Sequence, residues 1–600
     1  MKKRVADIIM ETLLENGIDT CFGVVGGGAM HLDNALLKCK DMRKIFNHHE
    51  QASAMAAEAY ARYSGKMAVV CVTSGPGATN TLTGVMGAWQ DSIPMIVLSG
   101  QVRYEISVAK SGLNLRYRGI QEFEIVPTVK NMTKYAVMIT DPKAIKRELV
   151  KAINISMDGR RGPVWLDIPQ DIQNAHVEVD DLYDVENFVS SVPGADDNEI
   201  NYLIELINKA QRPCILAGSG IISSGSNDLF EQVVDKLQIP VVGGAWVADN
   251  FWLDHRLYYG NSGNVGPRTG NFILQNADMI VSFGNSLGFR QTGFSQKDFA
   301  PYAKIIMVDA DENEAKKPGL RIEKYIQCDL KDIFDKILNI DTKCIGSENW
   351  LQFCDMLKNR FERYEAARHI DMNDRVCSSF FWKMMENHEK QDVIYALGNN
   401  TACTAKLQFG VRKRNQRVLT NYTCGSMGYD VPAAIGASIA SGRQVICVTG
   451  DGSIMMNLQE LQTIVQNDLP VNIVVFANDG YGAIRQTSKN FFNGEYIGCT
   501  PDTGVSFPSF KNVAETFGYK YRLCKTNGEV EEGIKWLNSS GERALLEIEQ
   551  KFDDPVTPKL MSRLDENGKM QTPALQDMYP FIEREELEQL MIGTKEEENS

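Results

Sequence analysis

Residues 443–479 read RQVICVTGDGSIMMNLQELQTIVQNDLPVNIVVFAND. The short β-branched run QVICV is broken by Gly450 and Gly452, a helix-length segment follows, and VNIVVFA repeats the first pattern; this predicts strand, tight turn, helix, strand. Both strands are apolar throughout, as in a parallel sheet covered by helices on both faces. Asp451 stands where the first strand ends and Asn478 where the second ends, 27 positions later (478 − 451), and open α/β sheets bind ligands at the carboxyl ends of their strands. Asp451 offers a hard anionic oxygen, Asn478 a neutral one and Gly480 a backbone carbonyl, a donor set suited to Mg²⁺ or Ca²⁺. The free N–H groups of Gly452 and Ser453 open the helix and favour a phosphate at the same place. These donors suit a metal-bridged diphosphate; a plain Asp-Gly turn is the competing reading.

Outward from this unit, strand-like runs alternate with helix-length segments along most of the 600 residues, which predicts an α/β protein of three doubly wound parallel-sheet domains. The acidic, turn-rich stretch at 180–199 and the weaker break at 340–350 divide the chain into 1–180, 195–340 and 365–550, with a polar, proline-bearing tail at 551–600 whose closing TKEEENS is expected to fray. MAVVCVTSGPGATNTLTGVMGAWQDSIPMIVLSG at 67–100 repeats the order of 443–479, so the first and third blocks read as a duplicated unit.

A formal net charge of −14 argues against nucleic acid or an anionic membrane surface as partner. No apolar run approaches a membrane span, and residues 1–19 read as an amphipathic helix. Thirteen scattered cysteines without a CxxC pair suit the reduced thiols of a cytoplasmic protein.

The spacing of GDG, helix, strand and asparagine is similar to the fingerprint of thiamine diphosphate (ThDP) enzymes, with Ala477 in place of the first of the family's two asparagines. YTCGSMGYDVPAAIGASIA at 422–440, VTSGPGATN at 72–80 and RGPVWLDIPQDIQ at 161–173 resemble further segments of that family, in its acetohydroxyacid (acetolactate) synthase-like branch. The resemblance implies a pyrimidine-binding first domain, a Rossmann-like central domain and a diphosphate-binding third domain, with ThDP and Mg²⁺ as cofactors. It implies that Glu50, in FNHHEQASAM at 46–55, hydrogen-bonds the pyrimidine N1′; this favours the imino form of the 4′-amino group, which takes the proton from thiazolium C2. Small and apolar neighbours would lift the Glu50 pKa by poor solvation; a helix-capping acid is the competing reading. His48 and His49 stay open between proton transfer and packing. Also by resemblance, Met427 wedges ThDP into a bent form, Gly425 and Met427 contact its aminopyrimidine, Gly398, Asn399 and Asn400 help bind the diphosphate, Gly75 lies in the pyrimidine-side turn, and Gln121 and Lys134 lie near substrate. The family's active sites lie between chains, implying a homodimer or homotetramer whose Glu50 and Asp451/Asn478 come from opposite subunits.

Two departures concern the acceptor. Ile120 stands where the branch carries an aromatic before Gln-Glu, and Thr487 where it carries Trp, which leaves room for a larger or more polar second substrate. The expected function is decarboxylation of pyruvate or another 2-oxo acid and transfer of the acetyl unit to a second carbonyl. GVVGGGAMHLDNAL and the tail resemble relatives encoded with surface-polysaccharide genes, which makes a nucleotide-linked keto sugar the alternative acceptor. A non-ligating 2-oxo acid decarboxylase is a further alternative, and a non-catalytic scaffold the least consistent with Glu50, Asp451 and Asn478. For FAD the sequence is undecided: Arg290 matches a family arginine, Ser286 replaces another, and GSGIISSG departs from GxGxxG.

Overall fold

A computed structural model describes residues 1–245, 247–341, 347–554, 556–564 and 570–592; the terminal TKEEENS and part of the 340–350 break lie outside them. Three six-stranded, wholly parallel sheets follow one another along the chain, each flanked by helices. The first is built from β1 (Thr20–Gly23), β2 (Arg43–Phe46), β3 (Val69–Val72), β4 (Met95–Gln101), β5 (Tyr135–Met138) and β6 (Pro163–Pro169), in the order β2-β1-β3-β4-β6-β5. The central one comprises β7 (Pro213–Ala217), β8 (Val241–Gly243), β9 (Tyr258–Asn261), β10 (Met279–Phe283), β11 (Lys304–Asp309) and β12 (Ile322–Gln327), in the Rossmann order β9-β8-β7-β10-β11-β12. The third comprises β13 (Ile394–Leu397), β14 (Arg417–Leu419), β15 (Val445–Gly450), β16 (Val471–Ala477), β17 (Lys520–Cys524) and β18 (Ala544–Glu549), in the order β14-β13-β15-β16-β18-β17. The first and third orders are the same permutation, as a duplicated unit requires.

Strands such as β3, β15 and β16 are buried on both faces, which accounts for their largely apolar sequences. The first and third sheets share one continuous core, and two helices form its centre: α1 (Glu50–Ser64) and α4 (Asp430–Ser441). α1 is alanine-rich because neighbours close in on several sides. A Cβ on Gly436 of α4 would lie 2.1 Å from the Ala56 carbonyl oxygen, and one on Gly84 of α2 (Leu82–Gln90) would lie 2.6 Å from the Ala54 Cβ. Side chains larger than alanine or glycine at these crossings would force the helices apart. The same interface buries Glu58, which pairs with Arg62 and accepts a 2.5 Å hydrogen bond from the Tyr429 hydroxyl, while Arg62 also reaches Asp91 at 2.6 Å. A buried carboxylate is tolerable there because it is paired and hydrogen-bonded.

The tail returns to the central domain: the Arg268 guanidinium donates to the Met578 carbonyl at 3.1 Å, and Asn276 Nδ2 to the Leu590 carbonyl at 2.9 Å. Among the described residues every cysteine is a free thiol, and no helix is long and apolar enough to cross a membrane.

Candidate active site

In the third sheet the strand order reverses between β13 and β15, so the turns after them, at Gly398 and Gly450, face one crevice. Asp430, the first residue of α4, is buried between them. A Cβ on Gly398 would lie 2.3 Å from Asp430 Oδ2. Ser453 Oγ donates to that oxygen at 2.5 Å and accepts the Gly428 N–H at 2.9 Å. The Ser453 hydroxyl is thus committed to shaping the 425–428 loop. In that loop the Gly425 carbonyl accepts from Asn399 Nδ2. Gly452 lacks a side chain because the Tyr481 ring and the Met427 methyl stand 2.3 and 3.3 Å from where its Cβ would be.

Asp451 is 4% exposed. Its Oδ1 accepts the Gly452 N–H at 2.8 Å, and its Oδ2 accepts those of Asn478 at 2.9 Å and Gly480 at 3.3 Å. Burial pushes its carboxyl up to about 6 despite these bonds. The Asn478 side chain donates from Nδ2 to Gln550 Oε1 at 3.0 Å, while its Oδ1 is buried with no hydrogen-bond partner. Across the crevice Asn400 Oδ1 accepts the Cys403 N–H at 2.7 Å, capping the helix α3 (Thr401–Phe409), and its Nδ2 is likewise buried and unpaired. A bare acceptor beside a carboxylate and a bare donor opposite it fit a cation and a phosphate oxygen, and buried polar atoms otherwise carry a desolvation cost. Gly480, at φ 149°, holds a conformation that a side chain would strain, and its Cβ would collide with the Cys499 carbonyl at 2.0 Å. Fully buried Arg485 donates to the carbonyls of Asn478 at 3.0 Å and Phe552 at 2.9 Å, fastening the same loop.

In the first domain Glu50 opens α1 directly after β2. His49 is the N-cap: its Nδ1 accepts the Gln51 N–H at 3.0 Å, so the cap belongs to His49, while His48 is exposed. Glu50 Oε2 accepts from Asn80 Nδ2 at 2.9 Å. Within one chain Glu50 is only half-buried, short of the poorly solvated setting expected of it, because the alanines that follow turn toward α2 and α4. Sequence gave no hint of what holds its turn in place. Glu460, fully buried in the third domain, accepts the N–H groups of His48 at 3.0 Å and His49 at 3.1 Å and the side chain of Asn47 at 2.9 Å. Asn457 Nδ2 lies 3.2 Å from Gln51 Oε1 and 2.8 Å from the Gly428 carbonyl.

Gln121 sits beside Gly75: it adopts φ 60°, and a Cβ on Gly75 would lie 2.3 Å from its carbonyl oxygen. Its neighbour Ile120 is 89% exposed, and Thr487 is exposed on α6 (Gly482–Phe491), the helix that follows the four-residue α5 (Asp451–Ile454) and the segment ending in β16. Lys134 stands apart. It precedes β5 at the amino end of the sheet, opposite the end that carries Gly75, and its Nζ donates to the Asp158 carbonyl at 2.5 Å. In the central domain Gly218 and Gly220 are explained by chain packing, each closing on Gly284, and the Arg290 guanidinium lies 4.8 Å from the Tyr422 ring centroid. Buried polar atoms without a hydrogen-bond partner occur there as well, at Asn250 Oδ1, Asn264 Oδ1 and Ser282 Oγ.

A polar crevice on the third sheet and a first sheet of the same strand order define an α/β protein built around a duplicated unit, with a Rossmann-like domain between. Comparison with known families agrees: residues 3–122 match the thiamine pyrophosphate enzyme N-terminal TPP binding domain, 200–337 the central domain and 396–548 the C-terminal TPP binding domain. The chain belongs to the ThDP-dependent, acetolactate synthase-like enzyme family. It is 31% identical over 566 residues to the probable acetolactate synthase large subunit of Methanocaldococcus jannaschii, covering 90% of this chain and 91% of the relative. To the acetolactate synthase isozyme 2 large subunit of Escherichia coli it is 29% identical over 539 residues, covering 89% and 94%.

Proposed function

We propose that the chain is a ThDP- and Mg²⁺-dependent carboligase that decarboxylates pyruvate and passes the two-carbon unit to a second carbonyl, as a homodimer or homotetramer with sites shared between subunits. The observation that carries this reading is the unpaired, buried Oδ1 of Asn478 beside Asp451, facing a crevice whose other wall presents the unpaired Nδ2 of Asn400. Asp451, Asn478 and the Gly480 carbonyl would hold Mg²⁺, and Asn400 with the Ser453 N–H would hold the diphosphate, whereas the Gly452 N–H, expected to be free, is given to Asp451 Oδ1 and that of Gly398 to the Val448 carbonyl. ThDP, when bound, supplies the nucleophilic carbon and the electron sink for loss of CO₂. Met427, whose methyl lies beside Gly452, would press on the cofactor and hold its conformation. Glu50 of the partner subunit would hold a proton at the pyrimidine N1′, with Oε2 steadied by Asn80 and Oε1 turned to the cofactor. The partner's surface would then complete the desolvation that one chain leaves unfinished around Glu50. Gln121, on the rim beside Gly75, would meet the substrate; for Lys134 the same role requires the assembled dimer.

Acceptor choice falls to the rim. Ile120 and Thr487 are both exposed, and side chains smaller than an aromatic and a Trp would leave more room for the acceptor; this supports a bulky carbonyl such as a nucleotide-linked keto sugar as the second reading. Mass spectrometry of products from [¹³C]pyruvate, alone and with a panel of nucleotide keto sugars, decides between them. Labelled acetolactate supports pyruvate as acceptor, a labelled two-carbon branch on a sugar supports the second reading, and free acetaldehyde alone refutes both.

A further inference from the structure

The unpaired oxygen of Asn478 raises a question of polarity. The two ends of a side-chain amide have nearly the same shape and opposite hydrogen-bonding character, so something must decide that Oδ1, and not the NH₂ group, points into the crevice. The sheet register supplies the neighbour. β16 pairs with β18 so that Ala477 lies opposite Glu549; the next residues, Asn478 and Gln550, therefore leave the sheet side by side. Gln550 is fully buried, and its Oε1 accepts from Asn478 Nδ2 at 3.0 Å. Its own NH₂ group donates to Asp554 Oδ2 and to Thr401 Oγ1, both at 2.8 Å. The same Asp554 oxygen accepts the Ser378 N–H at 2.8 Å, so it acts as an acceptor toward both.

We infer that Gln550 is the positioning residue that turns the Asn478 amide oxygen toward the cation, its own direction being set by Asp554. The order is carboxylate, amide, amide, cation: Asp554 can only accept from Gln550, Gln550 must then present its oxygen to Asn478, and Asn478 must then present its oxygen to the crevice. Partners behind a metal ligand commonly change affinity by about ten- to a hundredfold when removed. The inference rests on the reading that Asn478 and Asp451 bind the cation that carries the diphosphate.

A cycle of variants tests it, read as the Mg²⁺ concentration that half-saturates ThDP binding, followed by quenching of intrinsic fluorescence in the full-length protein. Gln550→Leu leaves Asn478 Nδ2 without an acceptor and should raise that concentration about tenfold or more. Asp554→Asn can reverse both amides by turning its NH₂ group to Gln550, at the cost of the acceptor of the Ser378 N–H, and should weaken Mg²⁺ binding likewise. Gln550→Glu combined with Asp554→Asn restores an acceptor-only group opposite Asn478 and should recover most of the lost affinity, a rescue that a packing role would not give. Thermal unfolding of each metal-free variant reports folding separately, and the double variant decides the matter if Gln550→Leu does not fold. Parental Mg²⁺ dependence in Gln550→Leu, or a double variant no better than Asp554→Asn, overturns the inference. Asp451→Ala distinguishes the levels: if it too keeps parental Mg²⁺-dependent binding, the cation reading itself has failed.

Discussion

Glu50 shows how one residue's setting is divided between domains. Asn80 fixes one carboxylate oxygen, His49 takes over the capping duty, and Glu460 holds the backbone just before it. A group that only holds a proton at N1′ should be separable from cofactor binding. Glu50→Gln is expected to bind ThDP and Mg²⁺ nearly as the parent does while slowing hydrogen–deuterium exchange at ThDP C2 by about a hundredfold or more. NMR of quenched exchange samples measures this, and exchange at the parental rate removes Glu50 from the assigned role. The Asp451–Asn478 pairing was legible in the sequence because each residue ends an apolar strand, and strand, turn and helix follow within a few tens of residues. Gln550 was not legible: its tie to Asn478 crosses 72 residues and depends on which strand lies beside β16. Asn457 and Glu460 were hidden for the same reason, since their partners lie in another domain.

At the scale of elements, the crossing of α1 and α4 carries the junction of the first and third domains. The alanine run at 52–61 could be read as buried, but sequence alone offered a cofactor pocket as the cause, whereas the structure assigns most of it to helix contact. Gly436 is the tightest point, with the Ala56 carbonyl 2.1 Å from its missing Cβ. Gly436→Val should therefore destabilise the protein by about 3 kcal/mol through overpacking, seen as a lower midpoint in denaturant unfolding. An unchanged midpoint would mean that the helices separate without cost. The β2-β1-β3-β4-β6-β5 permutation, by contrast, followed from sequence only as a class of fold. Alternating strands and helices announce a doubly wound sheet, but nothing in a single strand's composition says that the last two strands exchange places.

For the whole molecule, shared sites make a quantitative demand. If Glu50 and Asp451 serve the same cofactor from different chains, co-expressing Glu50→Gln and Asp451→Ala chains should restore activity that neither has alone. Random assembly makes half of the dimers mixed, and each mixed dimer carries one intact site of two, so recovery should approach about a quarter of the parental rate. Carboligation measured on purified mixtures tests this, and the absence of any recovery would place each complete site within a single chain. The links from Glu460 to Asn47, His48 and His49, and from Asn457 to Gln51 and Gly428, then acquire a second meaning. With sites shared as proposed, they would join the loop that aims Glu50 at one cofactor to the domain that grips the other. In a dimer of the proposed kind, a shift of the Met427 loop on loading one crevice would be felt, through the Asn457 side chain, at the turn that carries Glu50, and would couple the two centres without any domain having to swing.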